Sequence, residues 1–410
     1  MAKIDDSVKK KVPELRFPGF TDDWEERKLG ELGSVAMNRR IFKDQTSENE
    51  EVPFFKIGTF GSKPDAFISR ELFEEYKLKY PYPEIGDVLI SASGSIGRTV
   101  VYQGEDEYFQ DSNIVWLKHD NRLDNKFLKQ FYSIVKWQGL EGSTIKRLYN
   151  KNILDTDISI PSTIEQNKIG MFFEQLDDTI ALHQRKLDLL KEQKKGYLQK
   201  MFPKNGAKVP ELRFAGFADD WEERKLSDVA NHRGGTAIEK YFDKDGVYKV
   251  ISIGSYGLNS QYVDQNIRAI SNEITDGRVV NSGELTMVLN DKTANGTIIG
   301  RTLLVEKDNE YVINQRTEII SPKENFDSNF AYTILNGPFR EKVKRIVQGG
   351  TQIYVNYPAV SNLNLELPKI EEQQKIGSFF KQLDDTIALH QRKLDLLKEQ
   401  KKGFLQKMFV

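Results

Sequence analysis

The side chains that most often carry out chemistry are scarce in this chain of 410 residues. It has four histidines and no cysteine, which excludes disulfides, thiol catalysis and cysteine zinc sites. His183 and His390 occupy duplicate positions on two repeated helical segments, where they could be metal ligands or polar residues that fix the register of the helices. Both lie on the side of these segments where apolar residues recur at heptad spacing, which favours the second role. His119 and His232 have no partner at the spacing of metal ligands. We therefore predict no metal site.

Two polar stretches could be mistaken for catalytic motifs. Residues 94–99 (GSIGRT) lack the lysine of a phosphate-binding loop, so a glycine-rich turn between strands is the simpler interpretation. The sequence DDWEERKL occurs twice, and we expect Trp24 and Trp221 to anchor it, with solvated charges around them. Neither stretch indicates an enzyme.

The overall composition sets the class of protein. Hydrophobic residues make up 38% and charged residues 30% of the chain, and the formal net charge is −1, which gives no direct argument for binding a polyanion. There is no apolar run near the length of a membrane span, and the first residues lack the apolar core of a signal peptide. We expect a cytoplasmic protein with no membrane partner.

The elements that must position any site are two long helices. Residues 175–196 (QLDDTIALHQRKLDLLKEQKKG) recur letter for letter at residues 382–403. Apolar residues repeat there at spacings of three and four, which predicts a heptad seam and a coiled coil. Each helix is the obvious partner of the other. The predicted helix-pairing residues are Leu176, Ile180, His183, Leu187 and Leu190 in the first copy and Leu383, Ile387, His390, Leu394 and Leu397 in the second.

The rest of the chain follows the same repeat. Residues 12–33 return at 209–230, and the stretch ISIPSTIEQNKIG (158–170) matches LELPKIEEQQKIG (365–377). Ser162 and Glu165 fit a capping box at the start of the first helix. The segments between the repeats, about 35–160 (the first head) and about 230–367 (the second head), read as mixed sheet with unrelated sequences. One short helix is expected in each, at residues 125–138 and 328–346.

This order of repeats resembles the specificity subunit of a type I restriction-modification enzyme. The resemblance rests on ELRFPGF/ELRFAGF, DDWEERKL, the strand-Pro-x-x-x-Glu-Gln-x-Lys-Ile-Gly starts and the identical helices, and it covers nearly the whole chain. It implies an α+β fold in which two mixed α/β target-recognition domains are held by two long antiparallel coiled-coil helices with internal pseudo-two-fold symmetry. The implied division is 1–161 (N-terminal block and first target-recognition domain), 162–202 (first spacer helix), 203–368 (second block and domain) and 369–410 (second spacer helix).

The resemblance also implies partners. Each target-recognition domain would read one half of a bipartite site in double-stranded DNA, while the helices set the spacer and dock two methyltransferase subunits. Restriction subunits that translocate DNA would join the full complex. This chain would be non-catalytic and hold no cofactor, with S-adenosylmethionine, ATP and Mg expected on the partners. It lacks the Asn/Asp-Pro-Pro-aromatic motif of an adenine methyltransferase, since the stretches YPYPE (80–84) and NYPA (356–359) do not match.

If the heads read DNA, their candidate loops are those in which basic, amide and hydroxyl side chains alternate with glycine and aromatics. We then interpret the glycine-rich stretch at residues 94–99 as a DNA-facing loop. Arg and Lys suit guanine edges, and Asn and Gln suit adenine edges. A protein-interaction scaffold with two divergent binding heads is the alternative that the helices alone permit. The candidates in the first head are Ser91, Ser93, Ser95, Arg98, Thr144, Lys146, Arg147 and Tyr149, and those in the second are Asn290, Lys292, Thr293, Asn295, Arg301, Gln315, Arg316, Gln352 and Tyr354.

Overall fold

The chain folds into two compact units, seen in a computed structural model that describes residues 12–140, 146–204, 206–292 and 294–410. The first unit contains the chain up to Gln184 together with Arg392–Val410, and the second is Arg185–Gln391. Each unit therefore combines one head with the first part of the long helix that follows it and the last part of the other long helix.

The first head is built from short strands of Val, Ile and aromatic residues whose side chains are mostly buried. Trp116, Tyr108 and Phe127 are fully buried, each in a different hydrophobic cluster of this unit. Its strands are β1 Glu25–Lys28, β2 Gly33–Ala36, β3 Val52–Phe55, β4 Phe67–Ile68, β5 Val88–Ser91, β6 Thr99–Val101, β7 Tyr108–Phe109, β8 Ile114–His119 and β9 Asp157–Ile160. Its helices are α1 Leu29–Leu32, α2 Arg70–Lys79, α3 Asn125–Ile134 and α4 Asn150–Leu154, with a 3₁₀ turn at Lys43–Gln45.

The second head has a similar set of short elements. Phe330 and Phe339 are among its largest fully buried side chains. The strands are β10 Glu222–Lys225, β11 Ala230–Gly234, β12 Tyr248–Ile251, β13 Arg268–Ala269, β14 Val279–Val280, β15 Leu285–Val288, β16 Asn290–Asp291, β17 Thr302–Leu304, β18 Tyr311–Ile313, β19 Thr317–Pro322, β20 Ile353–Tyr354 and β21 Asn364–Leu367. The helices are α6 Leu226–Val229, α7 Glu273–Asp276, α8 Ser328–Asn336, α9 Pro338–Lys344 and α10 Tyr357–Ser361, with 3₁₀ turns at Glu239–Tyr241 and Ile253–Ser255.

The two heads share one topology, so the sequence-based view of them as unrelated is wrong. The four-stranded sheet runs β2-β8-β5-β6 in the first head and β11-β19-β15-β17 in the second. The second sheet runs β4-β3-β7 and β13-β12-β18, and β14 is added only in the second head. Both heads carry Ile-Gly-Arg-Thr at the start of β6 and β17, with Gly97 and Gly300 at positive φ of 83° and 69°. The fold has therefore been kept while most side chains changed.

The second predicted head helix is two helices. Residues 328–346 form α8 and α9, which are separated at Gly337. Pro338 has no N–H to continue the hydrogen bonds of α8, and its fixed φ suits the first turn of a new helix. The first head helix also ends earlier than expected, at Ile134.

The two long helices are α5 Thr163–Lys200 and α11 Ile370–Met408. At the start of α5, the Ser162 hydroxyl accepts from Glu165 N at 3.4 Å, which is one half of the expected capping box. The Glu165 carboxylate is instead directed to Arg16, whose Nε and Nη2 donate to it at 2.7 and 2.8 Å. Arg213 and Glu372 repeat this pair at the same distances in the second unit.

A glutamine side chain near the start of each long helix bonds to the preceding head. In the first unit, Gln166 Nε2 donates to Arg122 O and Pro161 O at 2.9 Å, and its Oε1 accepts from Asp124 N. Asp124 in turn caps the head helix by accepting from Phe127 N at 2.9 Å. Gln166 therefore holds the residue at which the head helix begins.

The second unit has the same junction. Gln373 Nε2 donates to Asn325 O and Pro368 O, and its Oε1 accepts from Asp327 N. Asp327 then caps α8 by accepting from Phe330 N at 2.8 Å. The two heads, which differ in sequence, are thus attached to their long helices by equivalent hydrogen bonds.

An aromatic cluster closes each junction and contains the buried Trp24 and Trp221, which are expected from the sequence to anchor the repeated DDWEERKL block. In the first unit, Phe409 at the end of the chain packs on Phe127 and Trp24, with ring centroids 5.0 and 6.2 Å away. In the second, Phe202 packs on Phe330 and Trp221 at 5.8 and 6.0 Å. The end of α11 therefore completes the hydrophobic core beneath the first head, and the end of α5 completes that beneath the second head.

Candidate nucleic-acid interface

Three polar side chains meet at one end of the sheet in the first head. Ala92 N donates to Asn113 O at 2.7 Å, and Leu148 N donates to Ala92 O at 2.8 Å, so three distant segments are joined there. Ser93 forms an isolated bridge with Arg147. Asn113 Oδ1 accepts from Ser93 Oγ at 2.8 Å and from Arg147 Nη2 at 3.0 Å. The sequence had indicated Ser93 and Arg147, and the fold adds Asn113.

A second cluster lies in the second head. Leu289 N donates to Arg316 O at 3.0 Å, and Val355 N donates to Leu289 O at 2.9 Å. Asn290 is paired with Tyr354 across β16 and β20. Together with Arg316, these residues line an open cleft of ≈ 680 Å³. The fold thus brings together three residues that are separated by up to 64 positions (354 − 290) in the chain.

A buried carboxylate, Glu318, also lines the cleft of the second head. Glu318 Oε1 lies 2.6 Å from His232 Nδ1, and the His232 ring lies 4.5 Å from that of Tyr357. Burial raises the pKa of Glu318, and the hydrogen bond with His232 partly opposes this shift. Neither Glu318 nor His232 was expected at the site.

Two of the predicted residues in the first head have structural roles. Ser91 is 1% exposed, and its hydroxyl accepts from Arg98 N and donates to Ser95 O, which closes the glycine-rich turn. Arg98 Nη1 donates to Phe60 O at 2.9 Å and so ties this turn to the neighbouring loop. Ser91 therefore has no surface to offer to a base.

Arg301 and Arg340 have a similar structural role in the second head, where each hydrogen-bonds to groups in neighbouring loops. Arg301 donates to Ser260 Oγ and Thr297 O at 2.9 Å, and burial lowers its pKa. Arg340 is buried and donates to Ile299 O, Gly296 O and Thr297 O at 2.8 to 3.0 Å. Sequence reasoning missed Arg340, because nothing in a helical segment tells a buried arginine from a solvated one.

The other predicted head residues stay dispersed. Gln315 Nε2 donates to Glu239 Oε1 at 2.8 Å. Thr144 and Thr293 lie outside the described residues. Exposed positions in loops or at element ends are occupied by Ser95, Lys146, Tyr149, Lys292, Asn295 and Gln352.

The long helices carry the same ion pair in each unit. Lys401 Nζ lies 2.5 Å from Asp177 Oδ1 in the first unit, and Lys194 Nζ lies 2.5 Å from Asp384 Oδ1 in the second. Residues early in one helix thus meet residues late in the other, which is an antiparallel pairing within each unit. Among the predicted helix-pairing residues, Leu187, Leu190 and Leu394 are buried, and Leu176, Ile180, His183, Leu383, Ile387, His390 and Leu397 are half-buried.

The described residues offer neither a metal site nor a membrane-spanning helix. In residues 12–140, 146–204, 206–292 and 294–410, no cluster of three or more His, Asp or Glu side chains is placed to hold a metal ion. Within the same ranges, no helix combines the length and apolar character needed to cross a membrane.

The fold and sequence together define a class of protein. The family model for the type I restriction modification DNA specificity domain matches residues 21–192 and again residues 218–399. The chain belongs to this family, whose members are the non-catalytic specificity subunits of type I restriction-modification systems.

Individual relatives agree with this assignment. A putative type I restriction enzyme specificity subunit of Haemophilus influenzae is 56% identical over 157 residues, which span 37% of this chain and 41% of that protein. A type I specificity subunit of Methanocaldococcus jannaschii is 22% identical over 97% of this chain and 93% of its own length.

Solved structures show the same fold. The type I S subunit from M. genitalium has a TM-score of 0.66 at 13% identity and covers 97% of this chain and 99% of its own. A chain from a study of assembly and conformational transition of the type I restriction-modification system has a TM-score of 0.51 at 15% identity, with the same coverage. The predicted fold class is confirmed.

Proposed function

We propose that each head reads one half of a bipartite DNA site and that the two long helices set the spacer between the halves. The observation that carries this proposal is one framework, repeated almost identically, that supports two heads of common topology and different polar surfaces. Identical supports with different polar clusters are what two separate recognition events by one subunit require. The chain thereby directs its partner subunits to methylate adenine or to cut DNA in response to that site.

The helices are proposed to dock two methyltransferase subunits. Each long helix exposes two leucines seven residues apart, Leu182 and Leu189 in α5 and Leu389 and Leu396 in α11. Exposed leucines at heptad spacing form an apolar stripe that a partner helix can cover. Because the two stripes have the same sequence, they suit two copies of one partner.

Replacing one leucine in each copy tests this docking. The variants Leu182→Ser and Leu389→Ser should each reduce the bound methyltransferase from two copies to one, and the double variant should leave none, as measured by native mass spectrometry. The matched control is Leu78→Ser, because Leu78 is 87% exposed in α2 of the first head. Two bound copies in the double variant would refute docking at these residues.

The cofactors belong to the partners in this proposal. S-adenosylmethionine would bind the methyltransferase subunits, and ATP and Mg the restriction subunits, which join the complex in the cytoplasm. Support comes from the family of the chain, whose role in such an enzyme is sequence recognition.

The test of DNA recognition is a map of modified bases in a host that carries this chain and its methyltransferase. We expect one split motif, methylated on both strands and lost when this chain is deleted. Replacing one head should change one half of the motif, and lengthening the linker at residues 203–207 should change the spacer. Methylation that persists after deletion, with active partners, would favour a protein-interaction scaffold instead.

A further inference from the structure

The clusters of the two heads occupy the same place in the shared topology. The bond from Ala92 N to Asn113 O in the first head corresponds to that from Leu289 N to Arg316 O in the second. The strand registers support this match, since Ile90 faces Val115 in the first head as Met287 faces Glu318 in the second. The common backbone therefore presents equivalent side chains at fixed positions.

The third segment matches as well. The bond from Leu148 N to Ala92 O corresponds to that from Val355 N to Leu289 O, and Ser93 is bridged to Arg147 as Asn290 is to Tyr354. Three pairs of equivalent positions follow: Ser93 with Asn290, Asn113 with Arg316, and Arg147 with Tyr354.

The chemistry at these positions changes while that of their neighbours does not. Ala92 and Leu289 are both buried and apolar, as are Leu148 and Val355. The three variable positions carry Ser, Asn and Arg in one head and Asn, Arg and Tyr in the other, which are residue types that can bond to or stack on base edges. Ser93 itself is 8% exposed and donates to Asn113, so in the first head it supports the other two side chains. A buried frame with exchanged polar side chains is the arrangement expected where two heads read different sequences.

Each cluster has one guanidinium with capacity left for a ligand. Arg147 is oriented through Nη2 by Asn113 at 3.0 Å, which leaves its other donors for a ligand. Within the described part of the chain, the exposed Arg316 side chain makes no hydrogen bond, and its backbone has a φ of +66°. A non-glycine residue in this strained region is a common sign of a functional site.

We infer that these three equivalent positions determine the half-site that each head reads, and that Arg147 and Arg316 each recognise a guanine. The inference rests on the proposed function and names the residues that carry it out. Bidentate contact from arginine to guanine O6 and N7 is the commonest specific readout in the major groove. Each half of the methylated motif therefore contains a G·C pair, and Asn113 is a positioning residue that orients Arg147.

The test uses the complex of this chain with its methyltransferase and duplexes based on the mapped motif. Affinity is compared between the motif and versions in which one G·C pair is replaced by A·T. The wild-type complex should prefer the motif by about 10-fold or more at one such pair in each half. Arg147→Ala and Arg147→Lys should abolish this preference in one half only, and Arg316→Ala should abolish it in the other. Lysine keeps the charge but loses the bidentate geometry.

Controls separate specificity from folding and charge. Arg70→Ala and Arg268→Ala each remove an ion-paired arginine from one head and should leave both preferences unchanged. Asn113→Ala should weaken the same preference as Arg147→Ala, and Asn113→Asp should restore it because the accepting oxygen is kept. Thermal midpoints are measured for every variant, so that a folding defect in Arg147→Ala is judged against Arg147→Lys.

The outcomes distinguish the inference from the proposed function. If the wild-type complex does not distinguish its motif from a scrambled duplex, the proposed function fails. If it does, but the Arg147 and Arg316 variants retain the G·C preferences or lose affinity equally for all duplexes, the inference alone is overturned. A methylated motif without a G·C pair in either half would also overturn it.

Discussion

The two long helices contain two crowded glycines, Gly170 and Gly377, and two open ones, Gly196 and Gly403. Substitution by alanine should destabilise the protein at the crowded positions and stabilise it at the open ones. A Cβ built on Gly170 would lie 2.6 Å from Lys126 Cβ, 3.0 Å from Asp124 Oδ1 and 3.1 Å from Phe127 N. These atoms belong to the capped start of α3, which therefore approaches α5 more closely than any residue but glycine allows. In contrast, a Cβ on Gly403 of the same unit would meet no other atom of the described residues within 4 Å.

The magnitude follows from three terms. Forcing a methyl group into a packed junction costs about 1–3 kcal/mol, and weakening the Asp124 cap costs about 1 kcal/mol. The better helix propensity of alanine returns about 1 kcal/mol. Gly170→Ala should therefore destabilise the protein by about 1–3 kcal/mol, whereas Gly403→Ala should stabilise it by about 1 kcal/mol.

Urea denaturation of the purified variants, followed by tryptophan fluorescence, measures the difference. Trp24 is buried beside this junction, with its ring 5.8 Å from that of Phe127. The second unit supplies an independent pair, because a Cβ on Gly377 would lie 2.6 Å from Phe330 N, while Gly196 is as open as Gly403 among the described residues. If the urea midpoint of Gly170→Ala equals or exceeds that of Gly403→Ala, the close approach of α3 does not explain why residue 170 is glycine.

Three further predictions concern buried charges. Glu165→Ala should lower the free energy of unfolding by about 3–5 kcal/mol, because it leaves Arg16 without its partner; in the same urea assay, the exposed Glu25→Ala should cost less than about 1 kcal/mol. Arg340→Met should cost roughly 2–3 kcal/mol by removing the donor to three carbonyls, and a thermal midpoint no lower than that of the exposed Glu341→Ala would contradict this role. Burial raises the folded-state pKa of Glu318, so its contribution to stability is greatest below the unfolded pKa and is lost as the pH rises through the folded pKa. Glu318→Gln should therefore gain stability relative to the wild type as the pH rises from about 4 to about 7, and a difference that does not vary with pH would exclude the effect.

Much of the framework could be predicted from the sequence because its signals are local. A heptad spacing specifies a helix and its seam wherever it occurs, and exact repetition specifies two of them. The long helices and the buried Trp24 and Trp221 agree with expectation. The divided helix at Pro338 could also have been predicted, since proline interrupts a helix for reasons internal to the residue.

The common topology of the heads and the meeting points of their polar residues become visible only in the folded chain. Strand order and register depend on pairing between distant segments, which the local sequence does not reveal. The two heads could therefore share a topology although their sequences have little in common beyond Ile-Gly-Arg-Thr. Ser93, Asn113 and Arg147 meet because hydrogen bonds from Ala92 and to Ala92 join three segments. The repeated framework and the types of residue available to read DNA are already evident in the amino-acid sequence. The fold determined which of them stand together, because that depends on non-local contacts.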